Sequence, residues 1–139
     1  FNPSNVSWAG AQGLCQLMPA TARQVGDWLG IKVTKTSMVD PLTNLRIGSR
    51  YLDYLHGYFD QNLFMAVPAY NAGEGNVGKW KRALGDVPTD EFVESIPIRE
   101  TRAYVKRVLG TYQLYRVVYD TGPLFPDWSH TADHTVPER

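Results

Sequence analysis

The stretch Ala103-Tyr104-Val105-Lys106-Arg107-Val108-Leu109-Gly110-Thr111-Tyr112-Gln113-Leu114-Tyr115 sets the fold class of this chain. Tyr104, Val105, Val108, Leu109, Tyr112, Tyr115 and Tyr119 recur at steps of three and four, the interval at which an α-helix returns to the same face. The spacing predicts one long amphipathic helix with a wide apolar stripe along it. Working back from it, Asp40-Pro41 is a helix start, with a carboxylate able to cap and a proline at the first helical position. Leu42, Leu45, Gly48, Leu52, Leu55 and Phe59 then mark one apolar face.

Shorter helices fill the intervals. Pro19 suits the first turn of a helix running to about Leu29, with Gly30 past its end. A short helix over residues 63–69 is expected to stop at Asn71-Ala72-Gly73. Gly73, Gly75 and Gly78 predict a loop that passes into a helix through Trp80 and Leu84, and Thr89 to Glu94 predicts another short helix before Pro97. Residues 1–18 are rich in turn signals. No strand-period segment or internal repeat is visible, so the expected class is mainly α. One domain is expected over residues 1–120, followed by a surface tail over 121–139 where Pro, Thr, His and Asp take over.

The 139 residues are enough for one domain with a real core. Apolar residues make up 43% and charged residues 20%, a globular balance. Fourteen basic side chains offset fourteen acidic ones, leaving no net field to attract nucleic acid. The single Cys15 cannot form an internal disulfide. No apolar run approaches the ~20 residues of a membrane span. His130 and His134 lie four apart with no third ligand, so neither a metal site nor another cofactor is expected. The chain opens on Phe1 without a leader pattern, and is therefore expected to belong to a longer or processed product with other domains.

Three clusters carry chemistry. In Ser7-Trp8-Ala9-Gly10-Ala11-Gln12-Gly13-Leu14-Cys15-Gln16-Leu17-Met18-Pro19, small residues let backbone approach a ligand while Ser7, Gln16 and Met18 offer a hydroxyl, an amide and a soft apolar wall. Ala69-Tyr70-Asn71-Ala72-Gly73 places a phenol and an amide at a helix end. Glu100-Thr101-Arg102-Ala103-Tyr104-Val105 puts a carboxylate in a first helical turn, where the helix dipole favours it. Taken singly, each has an ordinary reading: glycine clusters are turns, Glu74 is solvated, Glu100 is a first-turn charge, and Leu14, Leu17 and Met18 are core. Trp28, Tyr51 and Tyr112 fall on apolar faces and are expected inside, leaving Trp8 and Trp80 as candidates for exposure to a sugar.

In this order the clusters resemble the catalytic domain of soluble lytic transglycosylases, in the lysozyme superfamily, over about residues 1–120. The resemblance implies a lysozyme-like helical domain and cleavage of the β-1,4 bond between N-acetylmuramic acid and N-acetylglucosamine in peptidoglycan glycan strands. In that family the muramoyl 6-hydroxyl attacks its own anomeric carbon, leaving a 1,6-anhydro ring. One glutamate serves as acid and then base, unlike the two-carboxylate glycosidases. The substrate implies the periplasm or cell envelope. A water-using muramidase and an inactive glycan-binding or scaffold domain are the alternatives.

The family glutamate lies in a Glu-Ser-x-aromatic-Asn-Pro motif, whose end Phe1-Asn2-Pro3 matches. It is therefore expected three residues before Phe1, on a helix that also lies upstream. No catalytic acid is expected within these residues, which by themselves are expected to be inactive. The resemblance implies that Ser7 lies near that glutamate and the substrate N-acetyl group, and that Gln16 and Met18 line the saccharide cleft. It places Tyr70 and Asn71 at the scissile bond, with Tyr70 supporting catalysis. It makes Glu100 a buried acid that holds the cleft, with Tyr104 behind it. Cys15 stands where the family commonly has Met, which implies packing. Pro68 is unusual for the family and is expected to kink the helix that presents Tyr70.

Overall fold

The computed structural model describes residues 2–119; the tail expected over 121–139 and the pair His130 and His134 lie outside them. The fold is helical, as the periodicity requires: α1 Pro19–Trp28, α2 Lys35–Val39, α3 Pro41–Tyr58, α4 Leu63–Ala72, α5 Glu74–Leu84, α6 Thr89–Glu94 and α7 Arg99–Tyr119. Extended pairing among the described residues is limited to two isolated bridges, Val6 with Gln12 and Gln12 with Leu17. The chain divides into two compact units, Phe1–Tyr54 and Leu55–Arg139.

In the first unit, α1 starts on Pro19 and ends in a Schellman motif. Gly30 takes φ +66°, its N–H reaches the Asp27 carbonyl at 3.2 Å, and the Ile31 N–H reaches the Gly26 carbonyl at 2.8 Å. The helix α2 was not expected. Thr34 and Ser37 build a reciprocal capping box for it, a weaker signal in sequence than the Ser/Thr-x-x-Glu form. At the start of α3 the Asp40 carboxylate accepts the Thr43 N–H at 2.8 Å, the cap foreseen from Asp40-Pro41. The apolar face of α3 is the expected one at Gly48 and Leu55, which are buried, but not at its start. There Leu42 is 69% exposed and Leu45 46%, and Asn44 and Ile47 are buried instead. The cause is Asn44, whose amide is drawn inward by three backbone partners. Trp28, expected inside, is 42% exposed and is covered instead by Tyr54 (ring centroids 5.0 Å apart) and by the Arg50 guanidinium at 5.9 Å.

The second unit is organised on α4. Asn62 caps it by accepting the Phe64 N–H, and Ala66, Val67, Pro68 and Ala69 are all buried. Four successive buried positions mean that this helix is covered on every side. It runs through Pro68 to Ala72 as one helix rather than stopping at residue 69. Gly73 alone makes the turn that follows, at φ +86°, and α5 begins at the next residue. Gly75 and Gly78 are therefore helical, not part of a loop. The Asn76 side chain donates to the Ala72 carbonyl at 2.8 Å, satisfying one orphan acceptor at the end of α4.

Helix α7 packs on α4 and α6. Its length is as predicted but its stripe is not continuous. Thr101 and Val105 are buried, Val108 and Leu109 are half-buried, and Tyr112, Tyr115 and Tyr119 are exposed. Those outer rings shield one another instead. Tyr115 stacks on Tyr119 with centroids 5.7 Å apart, and Arg116 lies 5.6 Å over Tyr112. Tyr51 is half-buried.

Candidate active site

Ser7, Gln16 and Met18 belong to the first unit, on the turn-rich segment before α1. The Ser7 hydroxyl oxygen accepts the Ala11 N–H at 3.0 Å, and its own N–H donates to the Ala11 carbonyl at 2.8 Å. The Gly10 N–H closes the turn on the Ser7 carbonyl at 2.9 Å. Ser7 thus builds the loop, and its hydroxyl proton is the part left to offer a ligand. Gln16 sits at φ +48°, a left-handed conformation stabilised because its amide nitrogen donates to the carbonyls of Gly13 (2.8 Å) and Asn5 (3.3 Å). The donors of its amide serve the backbone, and the carbonyl oxygen is the part left to offer a ligand. Met18, at the cap of α1, is 45% exposed.

The segment is locked by a residue that motif reading passed over. Asn44 on α3 is 1% exposed. Its carbonyl oxygen accepts the Cys15 N–H at 2.7 Å, and its nitrogen donates to the carbonyls of Met38 (2.9 Å) and Gln12 (3.2 Å). Gly13 lies against it at φ +79°, where a Cβ would run into the Asn44 amide and the Met38 carbonyl. A polar residue on an otherwise apolar helix face was the available signal. Cys15 is half-buried among these contacts.

Tyr70, Asn71, Glu100 and Tyr104 belong to the second unit. Tyr70 and Asn71 ride the last turn of α4, Tyr70 half-buried and Asn71 exposed. The hydroxyl of Thr101, itself 1% exposed, donates to Asn71 Oδ1 at 2.7 Å. This bond joins the Tyr70-Asn71 cluster directly to the Glu100-Thr101-Arg102 cluster. Glu100 precedes Thr101 in the first turn of α7 but points outward. The expected buried acid is exposed here, because the inward positions of that turn are taken by Thr101 and Val105. Tyr104, one turn on, is half-buried. Arg102 donates to the carbonyls of Glu94 (3.0 Å) and Ile96 (3.2 Å), tying the end of α6 to α7. Thr101 and Arg102 belong to the motif, but sequence alone gives them no role. Trp8 is exposed, as expected, while Trp80 is half-buried.

A model of the transglycosylase SLT domain family matches residues 1–93. The chain belongs to that family. Among curated SLT-domain relatives, the soluble lytic murein transglycosylase of Escherichia coli K12 is 41% identical over 119 residues, 84% of this chain and 18% of the relative. A putative soluble lytic murein transglycosylase of Haemophilus influenzae is 38% identical over 120 residues, 85% of this chain and 20% of the relative. Among solved structures, an inactive Glu→Gln mutant of the lytic transglycosylase Slt from Pseudomonas aeruginosa superposes with a TM-score of 0.86 at 35% identity. It aligns with 94% of this chain and 22% of its own. The 70 kDa soluble lytic transglycosylase of Escherichia coli gives a TM-score of 0.84 at 39% identity, covering 91% and 21%. The SLT-domain chain thus spans about a fifth of the relatives it matches, and the lysozyme-like helical class expected for it holds. No described helix is long and apolar enough to cross a membrane.

Proposed function

We propose that this SLT domain is the glycan-cleaving part of a peptidoglycan lytic transglycosylase. The domain takes the β-1,4 bond between N-acetylmuramic acid and N-acetylglucosamine and leaves a 1,6-anhydromuramoyl end. The observation that carries the reading is the family match, within which the Thr101–Asn71 bond joins two of the three motif clusters. The acid/base is a glutamate three positions upstream of Phe1. Its carboxylic acid protonates the departing glycosidic oxygen, and its carboxylate then accepts the proton of the muramoyl 6-hydroxyl as that oxygen bonds to the anomeric carbon. Water is not consumed. The inactivity of the Glu→Gln Pseudomonas relative is in line with one glutamate carrying both steps.

The residues of this chain bind and orient. Tyr70 offers its phenol to charge developing on the reacting sugar. Asn71 is held by Thr101 and presents the rest of its amide. Ser7, Gln16 and Met18 contact the glycan from the braced turn segment. Glu100, exposed in the first turn of α7, meets substrate hydroxyls, and Tyr104 supports it. The substrate places the protein in the periplasm or cell envelope, and the partner is the murein strand.

Digestion of purified murein by the full-length protein, read by mass spectrometry, tests this. Anhydromuramoyl ends are expected. Ends heavier by two hydrogens and one oxygen would mean a water-using muramidase, and no cleavage by well-folded protein would mean a glycan-binding domain. Replacing the upstream glutamate by Gln is expected to leave glycan binding intact and abolish product.

A further inference from the structure

Trp8 is the most exposed large apolar side chain among the described residues, at 92%. Indole carries a large apolar area, so a folded chain that leaves it in water gains almost nothing from it in stability. The turn that bears it does not need it either. The Ser7 N–H donates to the Ala11 carbonyl at 2.8 Å, the Ser7 hydroxyl oxygen accepts the Ala11 N–H, and Gly10 supplies the left-handed corner at φ +89°. Behind the turn, Gln12 and Leu17 pair at 2.9 and 3.0 Å, and Asn44 fixes the carbonyl of Gln12 and the N–H of Cys15. The indole is therefore mounted on a braced support in whose hydrogen bonds it takes no part.

We propose that Trp8 is a stacking platform for a pyranose ring of the glycan, and that it sets affinity for the strand rather than the rate of the chemical step. The proposal rests on the glycan reading above and deepens it. A pyranose has an apolar face of C–H bonds and a rim of hydroxyl and amide groups. A bare indole matches the face, and polar groups beside it must match the rim. Ser7, the next residue, has its hydroxyl proton to offer, and Gln16 on the same braced segment has its carbonyl oxygen. Because the backbone of the turn is already ordered, little conformational freedom is lost when a sugar docks.

The test compares Trp8→Ala, Trp8→Phe and Trp8→Leu with wild type in the full-length protein. Titration calorimetry with the N-acetylglucosamine tetrasaccharide, murein turnover and thermal unfolding are measured together. Trp8→Ala is expected to weaken the tetrasaccharide roughly three- to tenfold, the scale of one aromatic stacking contact. It should raise KM by the same factor and leave kcat unchanged, the signature of uniform binding. Trp8→Phe should retain most of the affinity, while Trp8→Leu, equally apolar but without a ring, should resemble Trp8→Ala. All three should melt with wild type, since Trp8 buries nothing. Wild-type cleavage with unchanged KM and affinity in Trp8→Ala would overturn the Trp8 assignment and leave the proposed function standing. A wild type that neither binds nor cleaves glycan would remove both. Unchanged tetrasaccharide affinity with Trp8-dependent binding to phosphatidylglycerol vesicles would overturn it in favour of a lipid surface.

Discussion

The hydroxyl of Thr101 donates to Asn71 Oδ1 at 2.7 Å, although thirty residues separate them in the chain. Thr101 is buried and Asn71 is exposed, so the bond reaches from the packed inner face of α7 to the surface end of α4. Asn71 is held in one orientation by a residue that substrate cannot touch. In the proposed function, Thr101 is a positioning residue.

Thr101→Val keeps the shape and removes the donor. The expected cost is about 1 kcal/mol in stability, the net worth of one such bond. Turnover of murein should fall about tenfold with KM little changed, because Asn71 loses its fixed orientation in the reacting complex. Thr101→Ser should restore turnover. Steady-state kinetics of the three proteins checks this.

Asn44→Ala removes three bonds to backbone groups at a fully buried position, of which the Gln12 carbonyl alone keeps a second partner, the Leu17 N–H. Destabilisation of roughly 2–4 kcal/mol is expected from the unpaired groups and the cavity. Gly13→Ala should be comparably severe, since the added Cβ meets the Asn44 amide and the Met38 carbonyl. Gly10→Ala, also at positive φ but with open space around it, should cost only about 1–2 kcal/mol of backbone strain. Urea denaturation of the three variants separates collision from strain.

Tyr70→Phe removes the phenol that the proposed function aims at the reacting sugar while keeping the ring in the last turn of α4. Turnover is expected to fall ~10²-fold, the usual scale for one donor aimed at developing charge. Glycan affinity should change little. An unchanged kcat would show that the phenol serves packing alone.

The Thr43 hydroxyl and N–H both donate to the Asp40 carboxylate and hold its pKa below the ordinary 3.8. A carboxyl group with a lower pKa in the folded state contributes stability that is present above its unfolded pKa. That contribution is lost as pH falls through the folded value. The melting temperature should therefore decline on acidification below about pH 4. Asp40→Asn, which keeps a capping oxygen but cannot titrate, should have a flatter acid limb. Melting curves from pH 7 down to pH 2.5 measure the difference.

Much of the molecule was legible because its determinants are local. Six of the seven helices among the described residues follow from period, proline and glycine placement: Pro19 and Gly30 frame α1, and Asp40-Pro41 starts α3. The class, and through the three clusters the family, was likewise readable, since a motif is a statement about neighbouring residues. Gly75 and Gly78 misled because glycine permits a turn without requiring one, and Gly73 had already made it.

What the tertiary structure alone decided is which side of each helix turns inward and which polar groups meet. Period places Leu42, Leu45 and Asn44 on neighbouring lines of α3, and only the carbonyls of Gln12 and Met38 and the N–H of Cys15 choose Asn44. Likewise Glu100 and Thr101 are adjacent in sequence, yet Thr101 turns inward to meet Asn71 while Glu100 stays in water. Local propensity is summed over a few residues and is written in order along the chain. The satisfaction of a buried donor or acceptor depends on groups thirty positions away, and it is settled only when the helices have packed.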